Sequence, residues 1–220
     1  MIVYHATWFA VSARLIDIDL HAPGWVIFQK SIAGAFFSLV GLSLHLSCTP
    51  TLRWRGYLKR LGKLLGCAAI VTVTSIVLNP RQVVTFGILH SIAACSVLAL
   101  PVRRLPTLAL LALAAPLIAA GALYTNPVFN NPWLSWLGMA VQQAPTFDHQ
   151  PLLPWLGVVL CGLALGRRLY PNHDVSLAHW HSRRRLSRGL AVMGRHSLLI
   201  YMAHVPILMA TMMALRSLLG

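Results

Sequence analysis

Ionisable side chains lie inside, or at the mouth of, several long apolar runs of this sequence. His5 lies in the first run, His90 in the fourth and His204 in the last. Asp148 and His149 directly precede the sixth run. A polar group at membrane depth costs free energy unless it is paired, so residues of this kind indicate a functional site.

A histidine close to a carboxylate is an arrangement that general base catalysis uses. Imidazole titrates near neutral pH, and a neighbouring carboxylate fixes which ring nitrogen carries the proton. A histidine can also accept an acyl group and pass it to an acceptor. A simpler interpretation stands beside each residue, because a buried histidine can serve as an interhelical hydrogen-bonding partner and Asp148 can cap the helix that follows it.

The composition places these residues in a membrane protein. Of the 220 residues, 57% are hydrophobic and 10% are charged, whereas a soluble domain carries about 25% charged residues. This shortfall excludes a soluble globular domain and a disordered chain. The net charge of +14 would suggest nucleic-acid binding in a soluble protein. Here the basic residues lie in short clusters between apolar runs, which is typical of membrane proteins.

The apolar runs predict an all-α polytopic bundle with about seven spans, in a single domain over residues 1–220. A span needs roughly 20 mostly apolar residues, so the first run is short and is expected to be the end of a helix that begins upstream. A short interfacial helix with Trp133 and Trp136 is predicted between Pro132 and Val141. The predicted spans are Met1–Ala13, Val26–Ser47, Leu61–Leu78, Val83–Leu100, Leu105–Leu123, Leu152–Leu165 and Ser197–Leu218.

The distribution of positive charge predicts the orientation of the chain. Fourteen of the 18 Lys and Arg residues fall on one side of these spans, and that side is predicted to be cytoplasmic. The segment from Tyr124 to Pro151, which contains no Lys or Arg, is predicted to face outward. The sequence therefore predicts a multi-pass protein of the bacterial inner membrane, with a polar cavity that opens outward and reaches His5, His90 and Asp148.

A basic cluster follows the second predicted span. Its residues are partly at helical spacing and can bind the phosphates of coenzyme A through charge-assisted hydrogen bonds. No metal site is predicted, because the four cysteines are scattered singly and the His179/His181 pattern is a weak signature. The cluster consists of Arg53, Arg55, Lys59 and Arg60.

Several motifs, in this order and at this spacing, resemble the bacterial relatives of the heparan-alpha-glucosaminide N-acetyltransferase catalytic domain, in the transmembrane acyltransferase superfamily. The most distinctive are FGILH and DHQPLLPWLG. The last motif, GRHSLLIYMAH, resembles a terminal signature of membrane acyltransferases more widely. The matching segments are Tyr4–His5, Leu15–Leu20, Gly24–Trp25, Phe36–Leu44, Tyr57–Arg60, Phe86–His90, Asp148–Gly157 and Gly194–His204.

The resemblance implies transfer of an acetyl group from cytoplasmic acetyl-CoA to an extracytoplasmic sugar or related amine or hydroxyl acceptor. It also implies that His21 takes the position of a catalytic histidine in the loop after the first helix, with His5 as the polar residue of that helix. His90, Asp148 and His149 complete the predicted catalytic set. His204 and Trp155 are predicted to bind the substrate.

The sequence thus predicts a membrane-bound O- or N-acyltransferase with acetyl-CoA as donor and no metal. Its predicted partners are acyl-CoA, a glycan or small polar acceptor, and membrane lipids, with no nucleic acid; a homo-oligomer is compatible with the sequence. The alternative is a small proton-coupled transporter or flippase-like protein, in which the buried His and Asp residues form a proton relay. A non-catalytic partner in an envelope-assembly complex is a third interpretation.

Overall fold

The protein is all-α over the residues that its structure, a computed structural model, describes: 1–13, 15–48, 52–78, 83–142, 148–171 and 185–219. These ranges contain no strand, and the fold class predicted from composition is confirmed. Gly87 and His149 form one isolated antiparallel bridge. The helices are α1 (Ile2–Ser12), α2 (Pro23–Ser47), α3 (Trp54–Leu78), α4 (Ile88–Val102), α5 (Thr107–Leu123), α6 (Trp155–Leu169), α7 (Arg185–Arg195) and α8 (Ser197–Leu219).

Among the residues that the structure describes, two helical segments are long and apolar enough to cross a membrane, namely Pro23–Ser47 of α2 and Trp54–Val77 of α3. The apolar helices α4 and α5 have 15 and 17 residues. At 1.5 Å per residue such helices fall short of a hydrocarbon core of about 30 Å. The predicted count of seven spans is therefore not confirmed among the described residues.

The short interfacial helix predicted between Pro132 and Val141 is a 3-10 helix of three residues, Ser135–Leu137, and a second 3-10 helix, Pro127–Asn130, precedes that range. Asparagine side chains explain the difference, because Asn126 Oδ1 accepts from the backbone of Val128 and Asn131 Oδ1 accepts from that of Trp133. Such bonds compete with a continuous helix.

Helix α7 lies between the sixth and seventh predicted spans, in a segment for which the sequence predicted no helix. Its apolar side chains Leu190 and Met193 follow helical spacing, with Arg188 and Arg195 among the polar positions. The side chains of Leu190 and Met193 are exposed. The helix is therefore amphipathic, although Gly189 and Gly194 lower its intrinsic propensity.

The residue contacts divide the chain into two compact units. The first unit comprises Met1–Ala33 and Val175–Gly220, and in it α1 packs against α8. The second unit is Gly34–Asp174, in which α5 packs on α6, α3 on α4, and α4 on α6. The prediction of a single domain stays a prediction.

Glycines bring the backbones of α2 and α6 together in the second unit. A Cβ atom built on Gly162 would overlap the carbonyl oxygen of Ser38 and lie 2.9 Å from its Cα atom. A Cβ atom on Gly41 would lie 2.7 Å from the backbone nitrogen of Leu163. Glycines at these two positions therefore allow a close helix crossing that any larger residue would push apart.

We expect Gly162→Ala to lower the free energy of unfolding by about 1–3 kcal/mol, because the added methyl group overlaps the backbone of α2. The matched control is Gly66→Ala on α3, where a Cβ atom meets nothing within 4 Å. That control should keep or raise stability, because alanine favours helix more than glycine does. Thermal unfolding in detergent measures the melting temperatures of both variants. Equal melting temperatures would contradict the close crossing of α2 and α6 at Gly162.

Candidate functional site

Two histidines from opposite ends of the chain meet in the first unit. The Nδ1 atom of His5 on α1 lies 2.6 Å from the Nε2 atom of His204 on α8, across 199 positions of sequence. The two rings are nearly parallel, with centroids 4.9 Å apart and an angle of 6° between their planes. Both residues are buried, with 5% and 6% of their surfaces exposed. The sequence named each residue but did not predict that they form a pair.

The partners of His204 determine the proton positions of this pair. Its Nδ1 atom contacts the carbonyl oxygen of Tyr201, which can only accept a hydrogen bond, so Nδ1 carries the proton. The Nε2 atom of a neutral His204 is then an acceptor, and His5 Nδ1 donates to it. The lone pair of His5 consequently lies on Nε2. No hydrogen bond within the described part of the chain occupies that atom.

Aromatic rings surround the pair within the same unit. The ring centroid of Tyr4 lies 5.7 Å from that of His5 and 6.2 Å from that of Trp25. On the other side, the ring of Tyr201 lies 5.3 Å from that of His204. These rings restrict the positions of both imidazoles, so the hydrogen bond between them is held by packing as well as by its own geometry.

A second cluster of candidate residues lies at the start of α4, in the second unit. The bridge between Gly87 and His149 and the bond from Gln150 N–H to the Phe86 carbonyl, 3.3 Å long, hold the two segments together. Asp148 is buried beside them. A Cβ atom on Gly87 would lie 3.2 Å from the Asp148 Cγ atom, so glycine at this position allows the carboxyl group to approach. The carboxyl group therefore packs against the amino end of α4, where the helix dipole favours negative charge.

His90 uses both ring nitrogens to hold the first turn of α4. The backbone N–H of Gly87 donates to His90 Nδ1 over 3.3 Å, and His90 Nε2 lies 3.4 Å from the Thr72 hydroxyl oxygen. That hydroxyl donates to the carbonyl of Val84 over 2.8 Å, so it accepts from Nε2–H. The lone pair on Nδ1 is occupied by Gly87, which leaves His90 without the vacant nitrogen that a general base requires.

His149 is half-buried in the segment that precedes α6. Burial lowers its pKa below the ordinary value of 6.5, and a hydrogen bond with the backbone of Phe86 opposes part of that shift. Burial disfavours the charged form of a histidine, so this imidazole is neutral at pH 7. A neutral ring keeps one nitrogen as an acceptor.

The remaining predicted site residues have different surroundings. The side chain of His21 is 98% exposed, and its nearest charged neighbour is Asp19, 3.6 Å away in the same loop. Trp155 is buried and stacks on Phe37 with ring centroids 5.1 Å apart, so it forms part of the core of the second unit. The structure brings neither residue into contact with the candidate histidines of its own unit.

The basic cluster begins at the amino end of α3, and Arg53, Arg55, Lys59 and Arg60 are all exposed. Arg60 in addition donates to the Ser43 hydroxyl on α2 over 2.8 Å. No group of three or more His, Cys, Asp or Glu side chains suitable for a metal ion occurs in the described ranges, and His179 and His181 lie outside them.

Comparison with known proteins identifies the family. A family model described as heparan-alpha-glucosaminide N-acetyltransferase, catalytic, matches residues 1–206. No curated protein and no solved structure matches the chain. The match covers most of the chain, including both histidine clusters and the basic cluster. The resemblance of the sequence motifs is thereby confirmed, and the chain belongs to the heparan-alpha-glucosaminide N-acetyltransferase catalytic-domain family of membrane acetyltransferases.

Proposed function

We propose that the protein is an integral membrane enzyme that transfers an acetyl group from acetyl-CoA to a sugar or related amine or hydroxyl acceptor, with His5 as the general base. The observation that carries the proposal is the buried hydrogen bond between His5 and His204, which leaves the lone pair on His5 Nε2. In the proposed orientation the basic loops are cytoplasmic and the acceptor arrives from the opposite side of a bacterial inner membrane.

In the proposed reaction, His5 Nε2 takes the proton of the acceptor hydroxyl or amine as its oxygen or nitrogen attacks the thioester carbonyl carbon. The new bond to the acetyl carbon forms, the carbon–sulfur bond breaks, and the coenzyme A thiolate receives the proton from His5. During this step His204 Nε2 accepts the hydrogen bond that His5 Nδ1–H donates, and it stabilises the transient imidazolium of His5. It thus acts as the orienting partner that a carboxylate provides in other catalytic triads.

The donor binds in this proposal through the basic residues at the start of α3. Arg53, Arg55, Lys59 and Arg60 supply four positive charges for the phosphates of coenzyme A. None of the chain's four acidic residues, which are Asp17, Asp19, Asp148 and Asp174, lies on α3. The cluster is therefore not neutralised by its own helix.

The second cluster has a positioning role in this proposal. Asp148 and His90 fix the amino end of α4, and His149 presents a neutral ring beside them for hydrogen bonding to a polyol or amine acceptor. We assign no chemical step to His21, because its exposed ring is paired only within its loop, or to Trp155, because it is stacked in the core. The prediction that His5, His90 and Asp148 share one recess stays a prediction.

We expect His5→Ala to reduce acetyl transfer by a factor of about 10²–10⁴, because general base catalysis contributes that much. His204→Ala should cost less than His5→Ala, since the base remains but loses its orienting acceptor. His196→Ala is the matched control, because this histidine is exposed at the end of α7, and it should leave the rate unchanged. The measurement is transfer of radiolabelled acetyl from acetyl-CoA to glucosamine by the purified chain in nanodiscs; an active His5→Ala variant would contradict the proposal.

Two further outcomes separate the alternatives. Stable labelling of the protein itself, without added acceptor, would replace the general base mechanism with an acyl-histidine intermediate. Proton-driven uptake into proteoliposomes, without any transfer of label from acetyl-CoA, would favour the transporter over the enzyme. The proposal predicts neither result.

We expect His90→Ala to lower the melting temperature rather than remove the chemical step. The change removes two part-buried hydrogen bonds, one from the Gly87 N–H and one to the Thr72 hydroxyl, and a typical hydrogen bond contributes about 0.5–1.5 kcal/mol of folding stability. Thr72→Val keeps the contact between His90 and Gly87 but removes the bonds of the Thr72 hydroxyl to both His90 and the Val84 carbonyl, so it should lower the melting temperature as well. Thermal unfolding and the rate per folded molecule are measured together; an unchanged melting temperature with activity abolished would make His90 a catalytic residue.

A further inference from the structure

A small cavity lies between α2, α3 and α4, and all of its lining residues belong to the second unit. It opens beside the basic cluster and contains both polar and apolar side chains. The apolar wall consists of leucines from α2 and α3. The lining residues are Leu44, Tyr57, Arg60, Leu61, Leu64 and Ser96.

The phenol of Tyr57 has no hydrogen-bond partner in the part of the chain that the structure describes, although its oxygen is buried. Ser96 also lines the cavity, but its hydroxyl donates to the Ile92 carbonyl over 2.7 Å and is not paired with the Tyr57 phenol. A buried hydroxyl without a partner destabilises a protein, and its presence needs an explanation such as a ligand. The sequence named Tyr57 only within the matching segment Tyr57–Arg60 and did not predict it as a site residue.

Arg60 is the charged member of the same cavity. One N–H of its guanidinium donates to Ser43, and this bond fixes the side chain against α2. A guanidinium has five N–H groups, so donors remain for another ligand. All four acidic residues of the chain lie outside α2, α3 and α4, so the sequence offers no carboxylate from these helices to neutralise Arg60.

We propose that this cavity binds a phosphate oxyanion, with Tyr57 and Arg60 as its donors and the leucines against the carbon atoms next to the phosphate. The inference rests on the proposed function in one respect, since a phosphate of acetyl-CoA is one source of the anion. A lipid headgroup phosphate is the other source, and both offer the same acceptor oxygens. Within the basic cluster, Arg60 thus binds the phosphate together with Tyr57, because it is the cluster residue that lines the cavity.

The test is Tyr57→Phe, which removes one oxygen atom and preserves the ring. In phosphatidylcholine nanodiscs we expect the dissociation constant of radiolabelled acetyl-CoA to rise about tenfold, the effect of one lost hydrogen bond to a charged group. The melting temperature without ligand should stay equal or rise, because an unpaired buried hydroxyl is removed. Tyr124→Phe is the control, since this exposed phenol accepts from Asn126, and its dissociation constant should match the parent's.

A second arm identifies the source of the phosphate. The same variants are purified from membranes that contain phosphatidylglycerol, and retained lipid is measured by mass spectrometry. A loss of retained phosphatidylglycerol in Tyr57→Phe, with acetyl-CoA binding unchanged, assigns the cavity to a lipid phosphate. Unchanged binding of both, or a lower melting temperature without ligand, would overturn the proposal.

The binding readouts separate this inference from the catalytic one. If Tyr57→Phe binds both acetyl-CoA and phosphatidylglycerol normally while His5→Ala is inactive, the oxyanion site is wrong and the catalytic assignment stands. If Tyr57→Phe loses binding while His5→Ala remains active, the oxyanion site stands and His5 is not the base.

Discussion

The hydrogen bond between His5 and His204 is the interaction on which the functional account depends. Burying an imidazole costs free energy that a hydrogen bond offsets, and His5 and His204 are both buried and bond to each other. The carbonyl of Tyr201 holds the proton of His204 on Nδ1, and this fixes the direction of the bond from His5. The chain therefore gains packing between α1 and α8 and, at the same atoms, a histidine whose remaining lone pair lies on Nε2.

The second unit shows the same constraint solved in a different way. There, His90 gives both ring nitrogens to the amino end of α4, and the Asp148 carboxyl group packs against Gly87. Glycine is needed at residue 87 because any side chain would occupy the space of that carboxyl group. These residue types resemble a catalytic set in sequence, yet their hydrogen bonds are used to end an extended segment and begin a helix. His90 and His5 thus differ in whether a hydrogen bond occupies the nitrogen that a general base needs.

The all-α class and most helix positions could be predicted from the sequence, because hydrophobic runs and clustered positive charge are local signals. The partner of His5 could not, since helical periodicity places a residue on a face but does not say which helix, 199 residues away, covers it. The hydrogen bond from Arg60 to Ser43 also could not be predicted. Arg60 and Lys59 are adjacent basic residues, and the sequence does not say which of them contacts α2. The short 3-10 helices between Pro127 and Leu137 depend on asparagine side chains that accept from the backbone, which hydrophobicity does not reveal.

Nitrogen NMR of histidine-labelled protein in nanodiscs measures directly which ring nitrogens of His5 and His204 carry protons. The account predicts that the neutral His5 carries its proton on Nδ1, that His204 does so as well, and that a coupling across the hydrogen bond joins His5 Nδ1 to His204 Nε2. The His204→Ala variant should lose that coupling and thereby assign the signal. A His5 ring protonated on Nε2, or two histidines without a shared hydrogen bond, would contradict the account.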